Sequence, residues 1–226
     1  MYKNIKAAFF DCDETLISFK SMFSFLKYYL SGKYGQPGEK IFNDYMSNVK
    51  SQWDNNIPRE IININYYKQF KNENVDDVLI YCQKWIIDEK KNVGNNFYIK
   101  ETISAINRYK EMGSKIVIVS GSLSELIQPI AMEIGADDIL ATRMTTMNKM
   151  FTGEIIPPQT IGSGKAEAVR KYLATNSIPR EFSISWGDHE SDFDMLNSTG
   201  KGVIISNDLS LLHKAEGLGF FALLRH

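Results

Sequence analysis

Hydrophobic and polar positions follow two regimes along this chain. Ala7-Ala8-Phe9-Phe10 is an unbroken apolar run that reads as a buried strand, and it delivers Asp11 and Asp13, with Thr15 two residues on. Over residues 18–100 strand-like alternation nearly vanishes, and apolar and aromatic residues recur at helical spacing, as in Phe19, Met22, Phe23, Phe25, Leu26, Tyr29 and Leu30. Breaks at 32–38, which includes Pro37, and at Asn55-Asn56-Ile57-Pro58 predict several bundled helices there. From residue 101 helices and short strands alternate: a helix over 101–112 stopping at Gly113, a strand over 115–119, a helix over 165–176, a strand over 182–186, a short helix over 192–197, a strand over 202–205 and a helix over 209–216. The expected class is α/β: a doubly wound, Rossmann-like parallel sheet from residues 1–16 and 101–226, with residues 17–100 inserted as an α-helical cap.

Composition narrows the partners more than the fold. A formal net charge of -1 over 226 residues leaves no broad basic face for nucleic acid, so small molecules are the expected ligands. No stretch approaches the roughly 20 apolar residues of a membrane span. Residues 1–6 lead straight into the first strand without the pattern of a secretory signal, so the cytoplasm is the expected location. Cys12 and Cys82, with three histidines, give neither a disulfide framework nor a zinc spacing; Cys12 reads as a small spacer turned into the core.

In doubly wound sheets, functional groups collect beyond the carboxyl ends of the strands. Here the strand ends carry Asp11-Cys12-Asp13-Glu14-Thr15, then Ser120-Gly121-Ser122, then Gly187-Asp188 with Asp192 one turn on, and Lys165 opens a helix between the last two. Paired carboxylates bind a hard cation or divide into nucleophile and acid; a strand-end hydroxyl with free N–H groups suits an anion, and lysine suits phosphate oxygens. Taken in this order, the residues resemble the haloacid dehalogenase-like phosphohydrolase superfamily, whose Asp-x-Asp-x-Thr, Ser or Thr, Lys and Gly-Asp-x-x-x-Asp motifs match Asp11 to Thr15, Ser120, Lys165 and Gly187 to Asp192. Residues 152–165 and 188–196 look most like its phosphoserine-phosphatase-like branch.

The resemblance implies hydrolysis of a small phosphomonoester, with Asp11 as nucleophile forming an aspartyl-phosphate and Asp13 as general acid and base. It implies Mg2+ held by Asp11, the Asp13 backbone carbonyl and Asp188, with Asp192 behind them orienting a metal-bound water or Lys165. Thr15, Ser120, Gly121 and Lys165 are the expected phosphate contacts. Lys20 stands where a phosphoserine phosphatase would carry an acidic residue, so a leaving group that is apolar or carries another anion is expected, with Lys20 and Arg59 as cap contacts. His189 reads as a spacer or rim residue, and His213 and His226 as surface residues. Gly162-Ser163-Gly164-Lys165 fails as a P-loop because Gln159 and Ala166 occupy two required positions, and Asn197-Ser198-Thr199 carries no weight as a glycosylation site. A phosphotransferase or phosphomutase on the same fold, and more remotely a receiver-like phosphoacceptor module, are the competing readings.

Overall fold

A computed structural model describes residues 4–225. β1 (Ala7–Phe10) is central to a six-stranded sheet, flanked by β2 (Lys115–Leu123) and β6 (Ser183–Gly187). β3 (Asp138–Thr142) lies outside β2, while β7 (Lys201–Ser206) and β8 (Phe221–Leu224) extend the other side, giving the order β3-β2-β1-β6-β7-β8 with every pairing parallel. The apolar run of β1 has no polar alternation because both its faces are covered. Ala8 and Phe10 join one core with Ile116, Ile118, Ile184 and Trp186, whereas Ala7 and Phe9 join another with Val117, Val119, Val169 and Ile204. Strand order reverses on either side of β1, so the crevice at its carboxyl end is where such a sheet accepts a ligand.

The segment between β1 and β2 is helical, as its spacing predicts: α1 (Ser21–Tyr34), α2 (Gln36–Asp54), α3 (Arg59–Tyr67) and α4 (Val75–Val93), followed by α5 (Lys100–Glu111), which packs on the sheet. The expected break over 32–38 contracts to Gly35 alone, at φ +61°. Gly32 is inside α1, and Pro37 sits in the first turn of α2, where its missing N–H costs no hydrogen bond. Gly38 is needed for packing: a Cβ there would meet the Leu30 carbonyl oxygen at 1.9 Å.

The remaining elements are α6 (Ser124–Ile134), a hairpin of β4 (Met144–Met147) and β5 (Met150–Ile155), α7 (Ser163–Thr175), α8 (Phe193–Asn197) and α9 (Leu209–Gly217). Several depart from expectation. β2 continues four residues past Val119, carrying Ser120 to Ser122 in extended backbone, and α8 begins after a 3-10 turn over Glu190–Asp192. β3, β8 and the hairpin have no counterpart in the hydrophobic pattern, because they are partly exposed and the hairpin turns through Asn148 and Lys149, both at positive φ, without a glycine. The hairpin is stitched to the helical insertion by Asn72 N to Phe151 O (2.8 Å), Phe151 N to Glu73 O (2.9 Å) and Val75 N to Lys149 O (3.0 Å). Among the described residues no helix is long and apolar enough to cross a membrane. His213 is exposed, and His226 lies outside the described residues.

Candidate active site

The carboxyl ends of β1, β2 and β6 meet in one cleft roofed by the insertion. Asp11 follows β1 and continues its ladder, its N–H donating to Trp186 O at 2.9 Å. Alternation then sends Cys12 into the core, fully buried, and the backbone turns so that Asp13 also lines the cleft. Cys12 is thus the spacer expected from sequence.

Lys165, in the first turn of α7, is the hub. Its Nζ donates to Asp11 Oδ1 at 2.5 Å and to Asp192 Oδ1 at 2.6 Å, with all three residues buried. Burial works against the ammonium, but Asp11 and Asp192 outweigh it and hold Lys165 well above the ordinary lysine range. Both glycines ahead of it have local reasons that involve no nucleotide: Gly162 is at φ +52°, and a Cβ on Gly164 would meet Gln159 O at 1.9 Å.

Asp192 is held on both oxygens. Besides receiving Lys165, it accepts the N–H groups of Asp188 and His189 on Oδ2, each at 3.2 Å. It therefore fixes the loop that presents Asp188. A Cβ on Gly187 would lie 2.6 Å from the Asp192 Cβ, so this approach requires glycine. Thr15 departs from its expected place against phosphate: it is fully buried and donates to Asp188 Oδ1 at 3.0 Å and Asp11 Oδ2 at 3.4 Å, orienting the carboxylates from behind. Thr15 O in turn accepts from Thr102 Oγ1 at 2.6 Å.

Oxygens of Asp11, Asp188 and Asp192 all lie within 4.8 Å of one another. Burial and the charges of Asp11 and Asp192 push the Asp188 carboxyl well above the usual range. Three crowded carboxylates against one ammonium leave negative charge uncompensated, and an all-oxygen donor set of this kind fits a hard divalent cation. Asp192 is taken up by Lys165 and the loop N–H groups, while Asp11 and Asp188, at the ends of β1 and β6 and bridged by Thr15, are the carboxylates that could hold such a cation.

Asp13 stands apart from that cluster. Its Oδ2 faces Ser122 Oγ at 3.4 Å, and among the described residues its Oδ1 is buried without a hydrogen-bond partner. Burial is the main cause that pushes this carboxyl up to about 6; the charge of Asp11 adds to the rise, while the hydroxyl and N–H of Ser21 oppose it. Ser120 and Gly121 line the cleft, and Ser120 Oγ accepts the Ser122 N–H at 3.1 Å.

The cap residues named from sequence, Lys20 and Arg59, line the same cleft and have protein partners there. Lys20 pairs with Glu14 at 2.9 Å and so is not a free cation. Arg59 Nη1 reaches from α3 to His189 Nδ1 at 3.0 Å and Ser191 Oγ at 3.3 Å, tying the insertion to the β6 loop. His189 Nδ1 also accepts the Ser191 N–H at 3.1 Å, and burial together with Arg59 keeps its imidazole below the ordinary histidine value. Sequence reading missed Asn63 and Tyr67, which both donate from α3 to Gly121 O, the former at 3.2 Å. Their spacing of four on an aromatic helix was the available signal.

A family profile described as haloacid dehalogenase-like hydrolase matches residues 8–197. The chain belongs to that hydrolase family. Among its haloacid dehalogenase-like relatives, a probable phosphatase of Mycobacterium tuberculosis is 26% identical over 236 residues, covering 95% of this chain and 73% of that protein. A phosphoserine phosphatase of the same organism is 26% identical over 113 residues, 50% of this chain and 28% of its own length. Of solved structures, a Bordetella pertussis protein of unknown function superposes with a TM-score of 0.81 at 16% identity, covering 98% of this chain and 99% of that one. A phosphoserine phosphatase captured as a phospho-aspartyl intermediate analogue gives 0.68 at 16% identity, covering 99% and 95%. These structural likenesses identify the haloacid dehalogenase-like fold, a parallel sheet flanked by helices.

Proposed function

We propose that this protein is a Mg2+-dependent phosphatase that hydrolyses a small phosphomonoester through an aspartyl-phosphate on Asp11. One observation carries the reading: a carboxylate paired to a buried lysine, and beside it a second carboxyl with a buried, unpartnered oxygen, share one cleft. The phosphatases among the relatives agree with it.

Asp11 attacks phosphorus, a new O–P bond forms, and the bond to the ester oxygen breaks. Asp13, raised by its buried site toward holding a proton, delivers that proton to the departing oxygen and then takes one from water as water displaces Asp11 and frees inorganic phosphate. Lys165 neutralises charge on the transferring group, Ser120 and the Gly121 N–H position it, and Thr15 and Asp192 keep Asp11, Asp188 and Lys165 in register. Asp11, the Asp13 carbonyl and Asp188 are the groups that would hold Mg2+, which when bound supplies positive charge to phosphate oxygens. Residues 17–100 act as a cap over the core formed by 1–16 and 101–226, excluding water from the first step.

Phosphate release from a phosphomonoester panel, with Mg2+ or EDTA, tests this in the native protein and Asp11→Asn. Release that needs the metal and is lost in the folded variant, together with acid-stable, hydroxylamine-sensitive phosphate on the native chain, is expected. Full activity in Asp11→Asn would overturn it.

A further inference from the structure

The cleft has two unlike ends. At one lie the carboxylates and Lys165; at the other the insertion contributes Met22, Phe23, Tyr45, Trp53 and Ile62 from three successive helices. Phe23 stands edge-on to Trp53 (centroids 6.0 Å apart, 83° between planes) and tilted to Tyr45 at 6.5 Å. Trp53 remains 45% exposed. A large aromatic left wet inside a cleft is a contact surface waiting for an apolar group.

The polar groups at this end already have protein partners. Lys20 is paired with Glu14, Arg59 is engaged by His189 and Ser191, and Asn63 donates to Gly121 O. A zwitterionic or dianionic organic group would have to break these contacts, and an uncharged one would leave them intact. The cleft, about 110 Å³, also contains Asp11, Asp13 and Lys165, so the phosphate takes part of that space and the organic group lies along the wall where Trp53 meets solvent.

Resting on the phosphatase reading above, we infer that the organic half of the substrate is an uncharged aryl or alkyl group packed on Trp53, Phe23 and Tyr45, and that Trp53 sets this specificity. Of the two leaving groups expected from the sequence, the apolar one is selected and the additional anion is not. The amino-acid ester phosphoserine is disfavoured for the same reason.

Two measurements separate this inference from the reading it rests on. First, kcat/KM is compared for ethyl phosphate, 3-phenylpropyl phosphate, glycerol 3-phosphate and phosphoserine; the two alcohols released from the first pair have similar acidity, so a difference between them reports binding of the chain. Second, calorimetry compares ethylphosphonate with 3-phenylpropylphosphonate, which bind but cannot be cleaved. The phenylpropyl compounds are expected to win by about 10- to 100-fold in both assays. Trp53→Ala should cut that ratio by about tenfold, and Trp53→Phe should restore most of it. Cleavage with a ratio near one, or with phosphoserine preferred, overturns the inference and leaves the phosphatase standing. Selective, Trp53-dependent phosphonate binding without cleavage of any ester upholds the inference about the cleft and overturns the phosphatase. Neither binding nor cleavage overturns both.

Discussion

Replacing Lys165 by methionine keeps an unbranched side chain, one atom shorter, but removes the ammonium that pairs with Asp11 and Asp192 in this cluster. At 2.5 Å and 2.6 Å, each contact is worth about 6 kcal/mol at an effective dielectric constant of about 20. Most of that attraction offsets the desolvation of the buried charges. The net loss on removing one partner of such a group is about 3–5 kcal/mol, because the abandoned carboxylates remain buried. In a chain of this size that corresponds to a fall in Tm of about 6–20 °C.

The pH dependence gives the sharper check. In the native protein the raised Lys165 contributes stability that is fully present below the unfolded lysine value and lost only as pH climbs through the folded one, so it is constant between pH 5.5 and 8. In Lys165→Met, Asp11, whose carboxyl burial already holds above the ordinary range, loses the ammonium that opposes the rise. Its penalty is full at high pH and relieved as a proton binds on acidification. Urea denaturation in EDTA should therefore show the variant's deficit at pH 8 shrinking by pH 5.5, and phosphate release should fall by about 10²–10³-fold. A deficit below about 1 kcal/mol at pH 8, or one that does not change with pH, would refute the reasoning.

Asp13→Asn should lower kcat by about 10²–10⁴-fold, with a smaller loss for esters of acidic alcohols that leave without a proton; equal losses for both ester types would deny it the role of acid. Mg2+ should raise the Tm of the native protein, by about 2.7 kcal/mol of stability at a hundredfold excess over Kd, and Asp188→Asn should abolish the rise in a thermal melt. Glu73 accepts from Tyr29, Lys33 and Tyr34, each at 2.5 Å, and although burial works to raise it these donors hold it below the ordinary glutamate value. Its stabilisation is present above the unfolded value near 4.5 and lost as pH falls through the folded one. Glu73→Gln should then cost about 1–3 kcal/mol at pH 7, a gap that narrows as pH falls below 4.5 when unfolding is followed across pH.

Much of the site was legible because its residues sit at strand ends, where a change from apolar run to acid or hydroxyl is visible in one dimension. Asp11, Asp13, Ser120, Lys165, Asp188 and Asp192 all line one cleft. Thr15 meets the carboxylates of Asp11 and Asp188, Lys20 meets Glu14, and Arg59 meets His189 and Ser191. Whether a side chain faces the cleft, a neighbouring carboxylate or a counter-ion depends on a few ångströms of backbone placement, which spacing does not encode. Edge strands such as β3 and β8, half-exposed, lack the apolar signature that marked β1.

Local periodicity and the covalent order of residues along single strands were enough to specify the doubly wound sheet, a helical segment between its first two strands and an acid pair after β1. Tertiary structure alone decided that Asp192 has no oxygen to spare, that Lys20 is already neutralised by Glu14, and that Trp53, Tyr45 and Phe23 form one apolar end of the cleft. Each of these depends on groups that are distant in sequence competing for the same few ångströms, and that competition is resolved only when the helices pack above the sheet.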